Sequence, residues 1–453
     1  MSMRRPLGLA LCAVAGLAAA QAPPSRVQEL IEAAGDAPPP RLMAPWIERD
    51  ARDQGRSRVL NEMEAGTLAL LAGRLKSAEA LFADAQQQIE TIYADNPAAA
   101  AARGKFVPEA NKDFKGDPYE RAMVGYYLGL IDLVKGEHDN ARAGFRFAML
   151  QDTMSASETY QDDMALMQYL VGWTYWCEGK SESAAEEFAR ARRIRPELAA
   201  PAAGDSLLLL AETGKAPRKL QDGQYGELLR FAAPLPVAER QVAFAVGEQQ
   251  RPAQLAEDIY FQAATRGGAA VDAIRAGKAS FRQGAERLAG AGATVGAVSL
   301  GAAMLTDGKG SRQLATIGAV AGIAGIVSDS VARSTETQAD DRAWMSLPGK
   351  IHVATAAAAG SVEAGFFGAD GRLLYAQPVP VRGAGRCRVA YTRAAGARPG
   401  LVSKLAWQAM PAQAGAVSSA APAPAAVSAE GAHLLDQVRA IRDNAGPVTS
   451  GPH

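Results

Sequence analysis

"YYLGLIDLVKGEHDNARAGFRFA", residues 126–148, and "YLVGWTYWCEGKSESAAEEFARARRIRP", residues 169–196, share a spacing rather than a vocabulary. Aligned on Gly129 and Gly172, both have a second glycine 7 residues on (Gly136, Gly179), alanines at 12 and 19 (Ala141, Ala148; Ala184, Ala191) and a phenylalanine at 16 (Phe145, Phe188). A third copy lies upstream, with Gly66, Gly73, Ala78, Phe82 and Ala85 at the same offsets. Small residues let two helices approach closely, the middle glycine ends one helix and turns the chain, and the phenylalanine fills the gap between them. Pro196 stops the last copy. The spacing predicts tetratricopeptide-like helix-turn-helix repeats. One such repeat cannot bury its own apolar face, whereas three stacked copies can. The copies are separated by "NPAAAAARGKFVPEANKDFKGDP" (96–118) and "DTMSASETYQDD" (152–163), which read as loops.

A chain of 453 residues calls for two or three domains. Zero formal net charge removes the basic stripe of a dedicated nucleic-acid binder and excludes long-range steering toward charged partners. The opening residues combine Arg4 and Arg5, a short apolar run over 7–17 and Ala18, Ala19 and Ala20, which predicts a secretory signal peptide over 1–20. The apolar run is shorter than the roughly 20 residues that span a bilayer. Cys12 follows Leu11 rather than a small residue, which argues against a lipid anchor there. Cys177 and Cys387 remain after cleavage. They fall in segments assigned to different domains, so two buried thiols is the simpler expectation, with a bridge left open.

After Pro196 the pattern changes. "SLLLLAETGKAPRKL" reads as a strand leading into a loop, and "LPVAERQVAFAV" as a second strand. From Pro252 to Leu288 the spacing predicts helix, with Leu255, Ile259, Ala263, Val271, Ile274 and Phe281 inward. Two Gly/Ala-rich arms over 289–332 predict a helical hairpin, each arm too short to span a membrane. Residues 351–395 read as a small antiparallel β unit with a turn at Ala369-Asp370-Gly371. The segment 396–453 is expected to be a low-complexity, disordered tail with a short amphipathic helix in "HLLDQVRAIRDNAG". The expected class is therefore mostly α: a helical domain over 45–200, a mixed α+β region over 201–350, the small β unit over 351–395, and the tail.

"FKGDPYERAMVGYYLGLIDLVKGEHDNARAGFRFA" (114–148), "LLLLAETGKAPRKL" (207–220) and "STETQADDRAWMSLPGKIHVA" (334–354) resemble an uncharacterised bacterial family of exported, often lipid-anchored, tetratricopeptide proteins. In the last stretch Asp340, Asp341, Arg342, Trp344, Leu347 and Pro348 carry the resemblance, which spans roughly residues 55–395. It implies an architecture and an envelope location, and no activity.

No chemistry-bearing motif accompanies this scaffold. The histidines, His138, His352, His433 and His453, have no neighbours at metal-ligand spacing. "DGKGSR" lacks the upstream glycine of a phosphate loop, and no Gly-x-Ser-x-Gly elbow occurs. Asp162-Asp163 and Asp340-Asp341 are adjacent and point apart on regular structure. No catalytic, metal or cofactor residue is expected. The one functional signal is aromatic: Tyr169, Trp173 and Trp176 share a helical face, and Tyr126 occupies the position equivalent to Tyr169. That face lines the groove of a tetratricopeptide array, where stiff rings anchor a peptide. The expectation is a non-enzymatic exported scaffold binding a protein or peptide partner of the cell envelope, free in the periplasm or associated with the outer membrane. The alternative is a membrane-associated or oligomerising component acting through the Gly/Ala hairpin.

Overall fold

The computed structural model describes residues 25–53, 55–94, 113–153, 163–222, 228–234, 236–266, 339–358, 360–383, 385–394, 403 and 405–413. The expected signal peptide with Cys12, the Gly/Ala hairpin (289–332) and the short helix near the end of the chain lie outside these residues. Among the described residues, no helix is long and apolar enough to cross a membrane.

Two helices open the described chain, α1 (Arg26–Ala34) and α2 (Pro40–Asp53). Ser25 caps α1 by accepting from the Gln28 amide, and Gly35 ends it at φ 71°. Three helical hairpins follow: α3 (Arg58–Leu71) with α4 (Leu75–Ala94), α5 (Pro118–Lys135) with α6 (His138–Thr153), and α7 (Ala165–Cys177) with α8 (Ser181–Ile194). The glycines predicted to turn each hairpin do so in the left-handed region, Gly73 at φ 75°, Gly136 at 80° and Gly179 at 77°. The first-helix glycines meet the predicted phenylalanines: a Cβ on Gly129 would fall 2.5 Å from the Phe145 ring, on Gly66 2.8 Å from Phe82 and on Gly172 2.9 Å from Phe188. Successive hairpins stack, α4 against α5 and α6 against α7.

The strands build three sheets. The largest has the order β10 (Val381–Arg382), β11 (Arg388–Arg393), β1 (Leu207–Thr213), β7 (Lys350–Ala356), β6 (Gln254–Asp258). In it β1 runs parallel to β11 and antiparallel to β7. The second sheet, antiparallel throughout, has the order β5 (Gln249–Pro252), β4 (Gln241–Val246), β8 (Val362–Phe367), β9 (Leu373–Pro378). A two-stranded ribbon joins β2 (Arg218–Asp222) to β3 (Leu228–Ala232). A short helix, α9 (Ile259–Arg266), follows β6.

The strand β1 explains how the halves join. It is buried along its whole length, so both faces must meet apolar partners. Leu207, Leu209 and Ala211 enter a core shared with Val242 and Phe244 of β4 and with Ala364 and Phe366 of β8. Leu208 and Leu210 face the other way, into the core shared with the helices. The result is three layers: helical hairpins, the five-stranded sheet, and the four-stranded sheet.

Several expectations change. Strands from 207–258 and from 350–393 pair within common sheets, so 201–350 and 351–395 are not separate units. The helix expected from Pro252 begins at Ile259, because Gln254–Asp258 pairs with β7 as an edge strand. The overall class is mixed α+β, with the expected order of a helical part followed by a β-containing C-terminal part. Part of the expected disordered tail is ordered: Trp407 covers Gly365, and the Met410 amide donates to the Gly371 carbonyl at 2.9 Å. Cys177 and Cys387 form a disulfide, with Cα atoms 5.6 Å apart across 210 residues of sequence, where two buried thiols had been expected.

Candidate functional site

The aromatic face predicted as a groove is not open. Tyr126, Tyr169 and Trp173 are at most 2% exposed and belong to the main core. Tyr169 packs on Phe188 at 4.9 Å between ring centres, and burial, its principal cause, lifts the phenol well above its ordinary range. Trp176 is half-buried and donates its indole N–H to the Asp205 carbonyl at 2.9 Å, just before β1. The physical reason for the correction lies in β1 and in residues 339–349: the inner surface of the array is filled by the chain's own C-terminal half.

Residues 339–349 enter that surface as an irregular segment that turns at Met345 and Ser346, and buried carboxylates receive it. Glu120 on α5 accepts from the Trp344 amide at 2.8 Å, and Glu64 on α3 accepts from the Met345 and Ser346 amides at 2.7 and 3.2 Å. The Trp344 ring is fully buried against Phe82 and Tyr127, at 5.9 and 5.7 Å between centres, and its indole N–H donates to Thr67 Oγ1 at 3.1 Å. Arg342 pairs with Asp340 at 2.8 Å and donates to the Arg56 carbonyl at 3.1 Å. Asp340 thus orients Arg342, which in turn reaches the Arg56 carbonyl.

Charged groups are matched beneath it. Lys219 on β2, 2% exposed at its side chain, lies 2.6 Å from both Asp117 and Glu120. Burial alone would lower its pKa, but the two carboxylates raise it, so the ammonium is retained. On β1, Glu212 accepts from Arg393 Nε at 2.6 Å and from the Tyr391 hydroxyl at 3.0 Å, and Arg393 donates to the Tyr127 hydroxyl at 2.7 Å. Glu64, Glu120, Glu212 and Arg393 all went unremarked in the sequence. Glu64 and Glu120 sit on otherwise apolar helix faces, and an acid at such a position was the available signal.

A second charged cluster borders an open polar cavity of about 700 Å³ near α1, lined by Arg26, Arg58, Asp84, Gln88 and Asp113. Burial, then the charge of Asp84, lifts Glu62 well above the usual carboxylate range. Burial also pushes Asp84 up, but hydrogen bonds from Arg26, Glu62 and Gln88 outweigh it and hold the carboxyl below its ordinary value. Glu62 is fully buried and does not line the cavity, whereas Asp84 does; Gln88 on α4 donates to both and ties Glu62 on α3 to α4. Among the described residues, no group of three or more His, Cys, Asp or Glu is placed to hold a metal ion. His352 is buried with Nε2 3.1 Å from Thr213 Oγ1, and His138 opens α6.

One further feature crosses all three hairpins. An arm, described over residues 381–383 and 385–387, passes over their turns in order. A Cβ on Gly73 would lie 3.0 Å from Arg382 Nη2, one on Gly383 3.5 Å from the Val134 carbonyl, and one on Gly179 3.2 Å from Arg386 Nη1. Arginines there face the negative ends of α3 and α7. The arm ends at Cys387, bonded to Cys177 at the end of α7.

No family model matches the chain, and neither a curated protein nor a solved structure does.

Proposed function

We propose that this chain is a non-enzymatic scaffold of the bacterial cell envelope, built on tetratricopeptide-like hairpins whose inner face is permanently taken by the chain's own residues 339–349 and β1. The observation that carries the reading is the Cys177–Cys387 bond, which ties helical and β halves together over 210 residues. Such bonds persist in oxidising compartments and are rare in the reducing cytosol. The three glycine–phenylalanine contacts support the repeat assignment. In this reading the protein presents a rigid outer surface to envelope partners, while Tyr126, Tyr169, Trp173 and Trp176 hold the scaffold together.

The test is fractionation of expressing cells combined with thiol alkylation before and after reduction. The scaffold reading expects the protein in the periplasmic or outer-membrane fraction, with Cys177 and Cys387 alkylated only after reduction. Recovery in the cytosol with both thiols freely alkylated would overturn it.

A further inference from the structure

We propose that the cavity between the first two hairpins and the outer edge of the five-stranded sheet binds a small amphiphile with an apolar chain and one anionic head, of the fatty-carboxylate class. This role goes beyond scaffolding and needs no partner protein. The cavity measures about 580 Å³, within the ~300–1,000 Å³ typical of small-molecule sites. One wall is aliphatic, from Leu70 and Leu75 of the first hairpin and Leu130, Ile131 and Val134 of the second hairpin. The opposite wall is formed by Pro378, Pro380, Val389 and Tyr391. Leu71, 42% exposed, stands at the rim.

The charge on the lining decides the ligand's sign. Among the described residues, no carboxylate lines the cavity, and the ionised groups that do are Arg382 and Arg393. Arg393 is already answered by Glu212 at 2.6 Å. Arg382 is exposed on the two-residue strand β10, beside the α3–α4 turn, and makes no ion pair with a described residue. A cavity with apolar walls and one guanidinium that has only the end of α3 and no carboxylate as its partner favours an apolar chain whose head carries a single negative charge. A cation would meet repulsion there, and a neutral chain would gain only the walls.

Titration calorimetry of the full chain with sodium decanoate, below its aggregation concentration, tests this. Saturable one-site binding is expected, at least about tenfold tighter than 1-decanol, since the head group adds a charge-assisted hydrogen bond. Arg382→Ala is expected to weaken decanoate about tenfold and leave 1-decanol unchanged. Leu71→Glu, which places a carboxylate at the rim on an exposed position, is expected to weaken decanoate by at least as much. Circular dichroism and thermal midpoints verify that both variants remain folded. An arginine serving only the end of α3 would shift the midpoint of Arg382→Ala without changing decanoate affinity, and that result overturns the proposal. So would absence of saturable decanoate binding, including the case in which the protein instead sediments with phosphatidylglycerol vesicles.

Discussion

His352 and Glu257 are buried residues whose titrations oppose each other. Burial holds the His352 imidazole down at about 3, with the nearby charge of Lys350 acting in the same direction. Burial pushes the Glu257 carboxyl up to about 7, against the charge of Arg195 and a hydrogen bond from Gln262 at 2.7 Å. For His352 the folded value lies below the unfolded one. Its contribution is present above the unfolded value near 6.5 and is lost as pH falls toward 3. For Glu257 the folded value lies above the unfolded one. Its contribution is complete below about 4.5 and is lost as pH rises toward 7. Each group alone changes stability by about 1.4 kcal/mol per pH unit inside its window. Urea unfolding across pH 3 to 8 is expected to show Glu257→Gln removing the decline between 4.5 and 7, and His352→Gln flattening the acid limb below 6.5. Identical pH profiles for the wild type and both variants would show that neither side chain is held as described.

At the scale of elements, the hairpin is set by a steric match between two positions. A methyl on Gly129 would enter the Phe145 ring at 2.5 Å, and the partner is a fully buried core side chain that cannot swing into solvent. Gly129→Ala is therefore expected to destabilise the protein by about 1–3 kcal/mol, the usual range for overpacking. Adding Phe145→Leu should recover part of that loss by vacating the volume the methyl needs. Thermal unfolding of the single and double variants checks this, and a double variant less stable than the sum of the singles would refute the contact. The 16-residue offset was visible in the sequence because both partners lie within one hairpin. The offset between Glu120 and Trp344 was not, since 224 residues separate them and no periodicity links the two.

The whole molecule is held by a tie that crosses its layers. The Cys177–Cys387 bond joins the end of α7 to the arm entering β11, and that arm crosses all three turns. Closing so long a loop restricts the unfolded chain, and loss of a native disulfide typically costs about 2–5 kcal/mol. Reduction of the wild type and the Cys177→Ser/Cys387→Ser double substitution are each expected to lower the urea midpoint by a similar amount. The double variant should show no further response to reductant. A wild-type midpoint indifferent to reductant would mean that the sheet and hairpins hold each other without the bond. Because β1 packs on both sides, the two halves are expected to unfold in one transition while the bond is intact.

By itself the sequence determined the local grammar. It specified three hairpins in register, their turns at Gly73, Gly136 and Gly179, the strand from Leu207 and the turn at Ala369-Asp370-Gly371. These rest on sterics and periodicity between residues close in the chain. Only the tertiary structure decided what covers the aromatic face, which strands share a sheet and that the two cysteines pair. A helix face bearing Tyr169 and Trp173 has the same pattern whether a foreign peptide or the chain's own sheet lies against it. The difference is made by contacts between elements far apart in the chain, which the order of side chains along one helix cannot express.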